Sequence, residues 1–296
     1  MDKKGQYLGM GAAFAANLIF GFSFLFSKTA LLVAHPLVIL AVRFTVAFAV
    51  MNILILFRAV KVDLKGKNLY RLIVMGVAQP LLYFIFELYG LKLVSSALSG
   101  IIIGLVPVGV ILLSGLILKE KPSGVQCICT AVSIMGVSAV SIISNNGDKS
   151  HFLGILLLVG AVISASVFNI LSRDISKEFT PFERTYVMFL IGCIGFNCIA
   201  AAVLKDKYIS NVFNAVKNVG FDVSIIYLAV VSSVLAFLLY NYSTSKISAV
   251  RSSSFSNIIT VVSVLAGIMI LKEDFSIWQV LLCIPIILGV WGVNRA

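Results

Sequence analysis

Ten apolar runs dominate the chain, at approximately 8–27, 36–57, 72–91, 94–118, 123–143, 152–172, 181–204, 223–244, 248–271 and 276–294. Each is about 20 residues long, the length a helix needs to cross a ~30 Å hydrocarbon core, and none shows the alternation of a barrel strand. With 60% hydrophobic and 12% charged residues among 296, against about 25% charged in soluble domains, the chain has more apolar surface than a water-soluble core could hide. Hydrocarbon requires every backbone polar group to pair within its own segment, so the runs should be helices. The first run follows Lys3-Lys4 as a signal peptide's would. It is long enough to span and has a counterpart in the second half, so it is read as a mature span.

The chain is also written twice. Residues 116–126 (LILKEKPSGVQ) and 269–279 (MILKEDFSIWQ) are identical at six of eleven positions at an offset of 153. Each reads as a tight helical hairpin: Ser123 and Ser276 can N-cap the second helix while Gln126 and Gln279 reach back to the cap residue. Lys119 and Lys272 suit the end of the preceding helix, and Glu120 and Glu273 the start of the next. Earlier in the chain, Ser27-Lys28 falls on Ser172-Arg173, Pro36 on Pro181 and Asn52 on Asn197 at an offset of 145, so about eight extra residues lie in the connection 205–222. Thr180-Pro181-Phe182-Glu183 makes a further helix start, with cap, first-turn proline and acid in place.

These features predict an all-α integral membrane protein, ten transmembrane helices arranged as two inverted five-helix repeats, residues 1–148 and 149–296, in one membrane domain. Five spans per repeat is odd, so the second half must enter the bilayer upside down relative to the first. Alternate connections carry 14 and 7 Lys and Arg residues, the larger share on the side of both termini. That places both termini in the cytoplasm; a bacterial plasma (inner) membrane is the expected location. Trp278 and Trp291 are expected to mark the two interfaces of the last span. Inverted repeats suit transport, because rocking one half against the other exposes a midplane site to each side in turn.

Several chemistries are excluded. The net charge of +11 sits in short connections, where it sets orientation rather than binding nucleic acid. Cys127, Cys129, Cys193, Cys198 and Cys283 all lie in apolar runs and read as small hydrophobes. His35 and His151 read as ordinary loop residues without a nearby partner. There is no Ser-His-Asp set, metal cluster or nucleotide motif, so no catalytic residue, metal or cofactor is expected, and the chain is not read as an enzyme.

Arg43 and Glu87 are the charges well inside spans, Arg184 being close enough to an end to snorkel. A charge facing lipid costs at least a few kcal/mol, so each should face the bundle interior or water. They read either as substrate-binding or coupling groups, Glu87 protonatable and Arg43 holding an anionic group, or as a structural ion pair. Gln79, Tyr83 and Glu87 share one helix face at four-residue spacing; their second-half equivalents are Ser232, Ala236 and Tyr240. Asn17, Tyr240, Asn241, Ser256 and Asn257 are further polar candidates. Pro80 and Pro107 are helix-break candidates. Ser96, Gly100 and Gly104 recur four apart, as do Ser252, Ser256 and Thr260, which suits close helix packing; the serine-rich run 252–257 suits a hydrated pathway equally well.

The run GFSFLFSK followed by Pro36 and Arg43-Phe44, then YGLKLVSSALSG, Pro107, LILKEKPSGVQ and Gly136-Val137, with the second hairpin and Gly289-Val290 echoing it, resembles the drug/metabolite transporter superfamily, specifically proteins with two EamA repeats. The resemblance spans nearly the whole chain. It implies ten spans, cytoplasmic termini and secondary transport of small metabolites, often export of amino acids. The sequence departs from the pattern at Thr260, where a proline is usual, at Met188, opposite Arg43, and in lacking a second-half acid opposite Glu87. The expected partners are a small-molecule substrate, the lipid bilayer and protons as a candidate coupling ion, with no nucleic acid. The rival readings are a lipid or lipid-linked-intermediate translocase, which needs the serine run to face the bilayer, and a membrane scaffold or sensor.

Overall fold

The computed structural model describes residues 3–58, 60–117, 123–144, 149–274 and 276–295. These are helical apart from short connections, with no strand among the described residues. Eight helices are long and apolar enough to cross a membrane, and two shorter apolar stretches, Ala131–Ile143 and Ile277–Gly289, lie within the helices Gly124–Ser144 and Ile277–Arg295. In chain order the spans are Lys3–Leu31, Pro36–Leu56, Leu69–Leu93, the pair Ser96–Ile103 and Val106–Ile117, Gly124–Ser144, Lys149–Asp174, Pro181–Leu204, Val219–Lys246, the stretch from Ala249 to Met269, and Ile277–Arg295. They are numbered one to ten in that order.

Local chemistry explains several of these boundaries. Span seven opens on a complete capping box: Glu183 N–H donates to Thr180 Oγ1 at 3.2 Å and Thr180 N–H to Glu183 Oε2 at 2.8 Å. Span ten opens the same way, Ser276 N–H donating to Gln279 Oε1 at 2.6 Å and Gln279 N–H to Ser276 Oγ at 3.3 Å. Each box satisfies two of the donors that a helix start leaves open. The matching Lys119-Glu120 turn of the first half lies outside the described residues, as does the Gln126 side chain. His35 is not a loop residue without a partner. Its Nδ1 accepts from Leu37 N–H at 3.3 Å and caps span two, and burial together with nearby Lys92 holds its imidazole pKa below the ordinary value.

The long-range packing follows the repeat. Span two packs on seven, four on nine, five on ten, one on eight and three on six. Exchanging every span for its counterpart five places along leaves this set of pairs unchanged, as a pseudo-two-fold relation requires. Spans four and nine approach so closely that a Cβ on Gly100 would lie 1.8 Å from Ser263 Oγ, and one on Gly104 2.1 Å from Thr260 Oγ1. The contact is bonded as well as packed: Ser256 Oγ donates to Gly104 O and Thr260 Oγ1 to Gly100 O, each at 3.2 Å. Small residues bring backbones within reach of one another, which is how helices associate where no hydrophobic force separates lipid from leucine.

Four spans are interrupted along their length. Span three carries a wide turn at Val77–Leu82, where the Gln79-Pro80 bond is cis and Tyr83 N–H reaches back five residues to Ala78 O. Span eight has the same wide turn at Tyr227–Leu235 without a proline. Span four breaks at Gly104-Leu105, and Pro107 is accommodated in the first turn of the new helix, while span nine tightens at Ser254–Ser256. The extra residues of the second half form a short helix, Lys207–Ala215, tied down by Tyr208 OH donating to Asn197 Oδ1 at 2.6 Å. Trp278 and Trp291 are both exposed on the bundle surface.

Two charged residues behave differently from their sequence reading. Arg184 does not snorkel: it is fully buried, and its guanidinium donates to Ser172 O, Ser172 Oγ, Thr244 Oγ1 and Asn241 O. Two of those acceptors are carbonyls near the ends of spans six and eight, where a cation complements the helix dipole. Glu273 does not serve the helix that follows it. Lys272 adopts a left-handed backbone with φ 52°, and Glu273 instead accepts from Ser96 N–H at 2.7 Å, Ser96 Oγ at 2.9 Å and Ala97 N–H at 3.1 Å, at the start of span four.

Candidate functional site

The interruptions in spans three, four, eight and nine surround one cavity of about 60 Å³. A single water needs roughly 10–15 Å³ of such space, so this is a small chamber with room for a few waters, tighter than a ligand pocket of several hundred Å³. Its walls come from both halves. Gln79, Tyr83 and Glu87 line it along the one face of span three expected from their spacing, and Arg43 enters from span two. Asn17, Tyr240 and Ser256 add polar groups from spans one, eight and nine. Phe20, Phe84, Phe168 and Phe237 supply a largely aromatic remainder.

Arg43 and Glu87 share the cavity, but they form no direct ion pair. The Arg43 Nε donates to Ser233 Oγ at 2.9 Å and its Nη2 to Ser232 Oγ at 3.2 Å, while the guanidinium carbon lies 4.3 Å from the centre of the Phe84 ring. Ser232 also bonds Ser23 across the chamber at 2.6 Å. Glu87 is buried, and its Oε2 has no hydrogen-bond partner. A structural pair bracing two helices would have brought the charges together, since removing either partner of a buried pair is costly. Here a guanidinium and a carboxyl sit separately on one aromatic-walled chamber.

Not every candidate reaches it. Asn241 belongs instead to the Arg184 cluster: its Nδ2 donates to Thr185 Oγ1 at 2.9 Å and its Oδ1 accepts from Ser172 Oγ at 2.9 Å. Asn257 starts the helix Asn257–Met269 and does not line the chamber. Pro80 and Pro107 stand at the helix interruptions rather than on the chamber wall. Three of the four serines in the run 252–257, Ser252, Ser253 and Ser256, are buried in the bundle, and Ser254 is partly exposed. That is the opposite of what a lipid-facing groove requires.

Three polar lining residues lie beyond the sequence-derived candidates: Ser23, Asn169 and Ser232. Asn169 accepts from Tyr240 OH and donates to Ala165 O at 2.8 Å. It is an isolated amide inside an apolar run, as Asn17 is, but close to the end of its helix Lys149–Asp174. Ser23 carries no comparable signal, because serine is tolerated on any face of a transmembrane helix; Ser232 is marked only as the repeat equivalent of Gln79. Among the described residues no group of His, Cys, Asp and Glu is placed to hold a metal ion.

Comparison with known proteins agrees with this architecture. The pattern of the EamA-like transporter family matches residues 7–142 and again 152–295. A Bacillus subtilis (strain 168) protein named Uncharacterized transporter YcxC is 35% identical over 300 residues, covering 99% of this chain and 95% of the relative. An Archaeoglobus fulgidus protein named Uncharacterized transporter is 24% identical over 93% of this chain and 94% of its own length. A solved crystal structure with 17% sequence identity superposes with a TM-score of 0.72 over 96% of each chain, which places both in one fold. With the family pattern present twice, and a 35% identical relative aligned along almost its whole length, this multi-pass membrane chain belongs to the EamA-like transporter family.

Proposed function

We propose that the chain is a secondary transporter that exports a small metabolite such as an amino acid across the bacterial plasma membrane, its two halves, 1–148 and 149–296, acting as inverted repeats that expose the chamber to each side in turn. Glu87 is the group that meets the substrate's ammonium or the coupling proton. Arg43, held by Ser232 and Ser233, faces the substrate's anionic end. Both termini lie in the cytoplasm, on the side of the more basic connections.

One observation carries this reading: a chamber at the junction of the halves holds one carboxyl with an open oxygen and one guanidinium, unpaired with each other. A guanidinium and a carboxyl kept apart in a low-dielectric wall are poised for a zwitterion, which supplies a counter-charge to each. The aromatic lining suits the substrate's apolar part.

The test is ligand-induced stabilisation of the purified protein by a panel of amino acids and related metabolites. A ligand that binds only the folded state raises its stability with concentration. The expected result is a stabilising solute whose effect is lost in Glu87→Gln and weakened in Arg43→Lys. A panel that stabilises wild type and Glu87→Gln equally would remove Glu87 from the site.

A further inference from the structure

The turn between spans three and four is gripped from both sides by charged groups of other spans. Lys28, near the end of span one, donates to Leu91 O at 2.9 Å and Val94 O at 2.6 Å, the carbonyl end of span three. Glu273, in the turn between spans nine and ten, accepts three bonds from the opening of span four, at Ser96 and Ala97. Each charge has the sign that the helix end it touches favours.

The opposite face repeats the cationic half of the device. Arg173 Nη1 donates to Thr244 O at 2.8 Å. Arg173 is the repeat equivalent of Lys28 at an offset of 145, and Thr244 that of Leu91 at 153, the same two offsets that align the halves in sequence. A bond preserved between equivalent residues on both faces belongs to the working symmetry of the fold.

The Lys28 grip also stands at a boundary. On its face a recess of about 760 Å³ is lined by Lys28, Val94, Ser95 and Glu273 among others, and none of its lining residues lines the central chamber. Span four's first helix connects the two, running from Ser96 at the grip to Ile103 on the chamber wall, about 10 Å at 1.5 Å per residue. The helix then breaks at Gly104-Leu105. Displacing its start would therefore swing its other end away from the chamber.

We propose that Glu273 and Lys28 are positioning residues of the transport cycle, a latch that holds the chamber shut toward their face, and that Arg173 holds the opposite face shut in the same way. The proposal rests on the alternating-access reading above. It assigns the two grips opposite effects: releasing one opens one face, and releasing the other opens the other.

The test is side-specific access. In a background with the native cysteines replaced, Ala165→Cys on the chamber wall reports labelling by a membrane-impermeant maleimide in right-side-out and inside-out vesicles. Glu273→Ala and Lys28→Met should raise labelling from the Lys28 face on the order of tenfold, the factor that ~1.4 kcal/mol represents, without raising it from the other. Arg173→Met should do the reverse. Glu273→Gln, which keeps an acceptor for Ser96 N–H, should fall between wild type and Glu273→Ala and guards against a misfolded variant. Two-sided labelling that none of these substitutions biases would overturn the latch and leave alternating access standing. Labelling confined to one face in every background would sink alternating access and the latch together.

Discussion

Replacing Gly100 by alanine should separate spans four and nine. The new Cβ would lie 1.8 Å from Ser263 Oγ and 2.4 Å from Ser263 Cβ. Rotating the serine hydroxyl relieves the first contact but not the second, because Cβ is fixed to the backbone. The spans must therefore part by about 1 Å or more to reach ordinary contact, and overpacking of this kind costs about 1–3 kcal/mol. Parting also stretches the 3.2 Å bonds from Ser256 to Gly104 and from Thr260 to Gly100, each worth about 0.5–1.5 kcal/mol. Alanine's better helix propensity returns about 1 kcal/mol. The net expectation is a loss of about 1–5 kcal/mol in reversible unfolding in mixed micelles. The double variant Gly100→Ala with Ser263→Gly removes the second Cβ and should recover most of that loss. A Cβ added at Gly11 would meet nothing within 4 Å, so Gly11→Ala should be neutral or stabilising by up to about 1 kcal/mol. Equal stability of the Gly100 and Gly11 variants would refute the packing argument.

Further outcomes follow from the same geometry. Glu183 is buried and accepts from Lys67 Nζ, Asp63 N–H and Thr180 N–H at 2.8–3.0 Å; Glu183→Ala should cost about 2–3 kcal/mol and Glu183→Gln about half that in the same unfolding assay. His35 is held below its ordinary pKa of 6.5, so the unfolded state takes up a proton first as pH falls: wild type should lose stability below about pH 6.5 relative to His35→Asn, which caps without titrating, and parallel pH profiles would contradict the cap. Glu87 is buried with an open oxygen; Glu87→Gln should leave thermal stability equal to or above wild type while abolishing transport, whereas a large loss of stability would mark it as structural.

Much of the fold was legible because the bilayer simplifies the problem: uninterrupted apolar length gives spans, and repeated hairpins give the internal duplication. The Thr180 and Ser276 capping boxes could be read because their partners are three residues apart. Glu273 could not, because its partners lie 177 and 176 residues away in the other half. Arg184 was misplaced for a related reason. In a helix apolar all round, periodicity does not say which face is inward, and nearness to a span end says nothing about whether carbonyls of two other spans converge there. The polar stripe of span three was readable, since four-residue spacing fixes a shared face. Asn241 shares its span with Tyr240, but one residue turns it about 100° away from the chamber and toward Arg184.

The most direct measurement is flux of labelled amino acids in liposomes containing the purified protein, with and without an imposed pH gradient, beside protein-free liposomes and the Glu87→Gln variant. A transporter built around this chamber should give flux above background for at least one solute, changed by the gradient in wild type and lost in Glu87→Gln. Folded protein that moves no solute of the panel, or a wild type and Glu87→Gln that transport alike, would contradict that assignment.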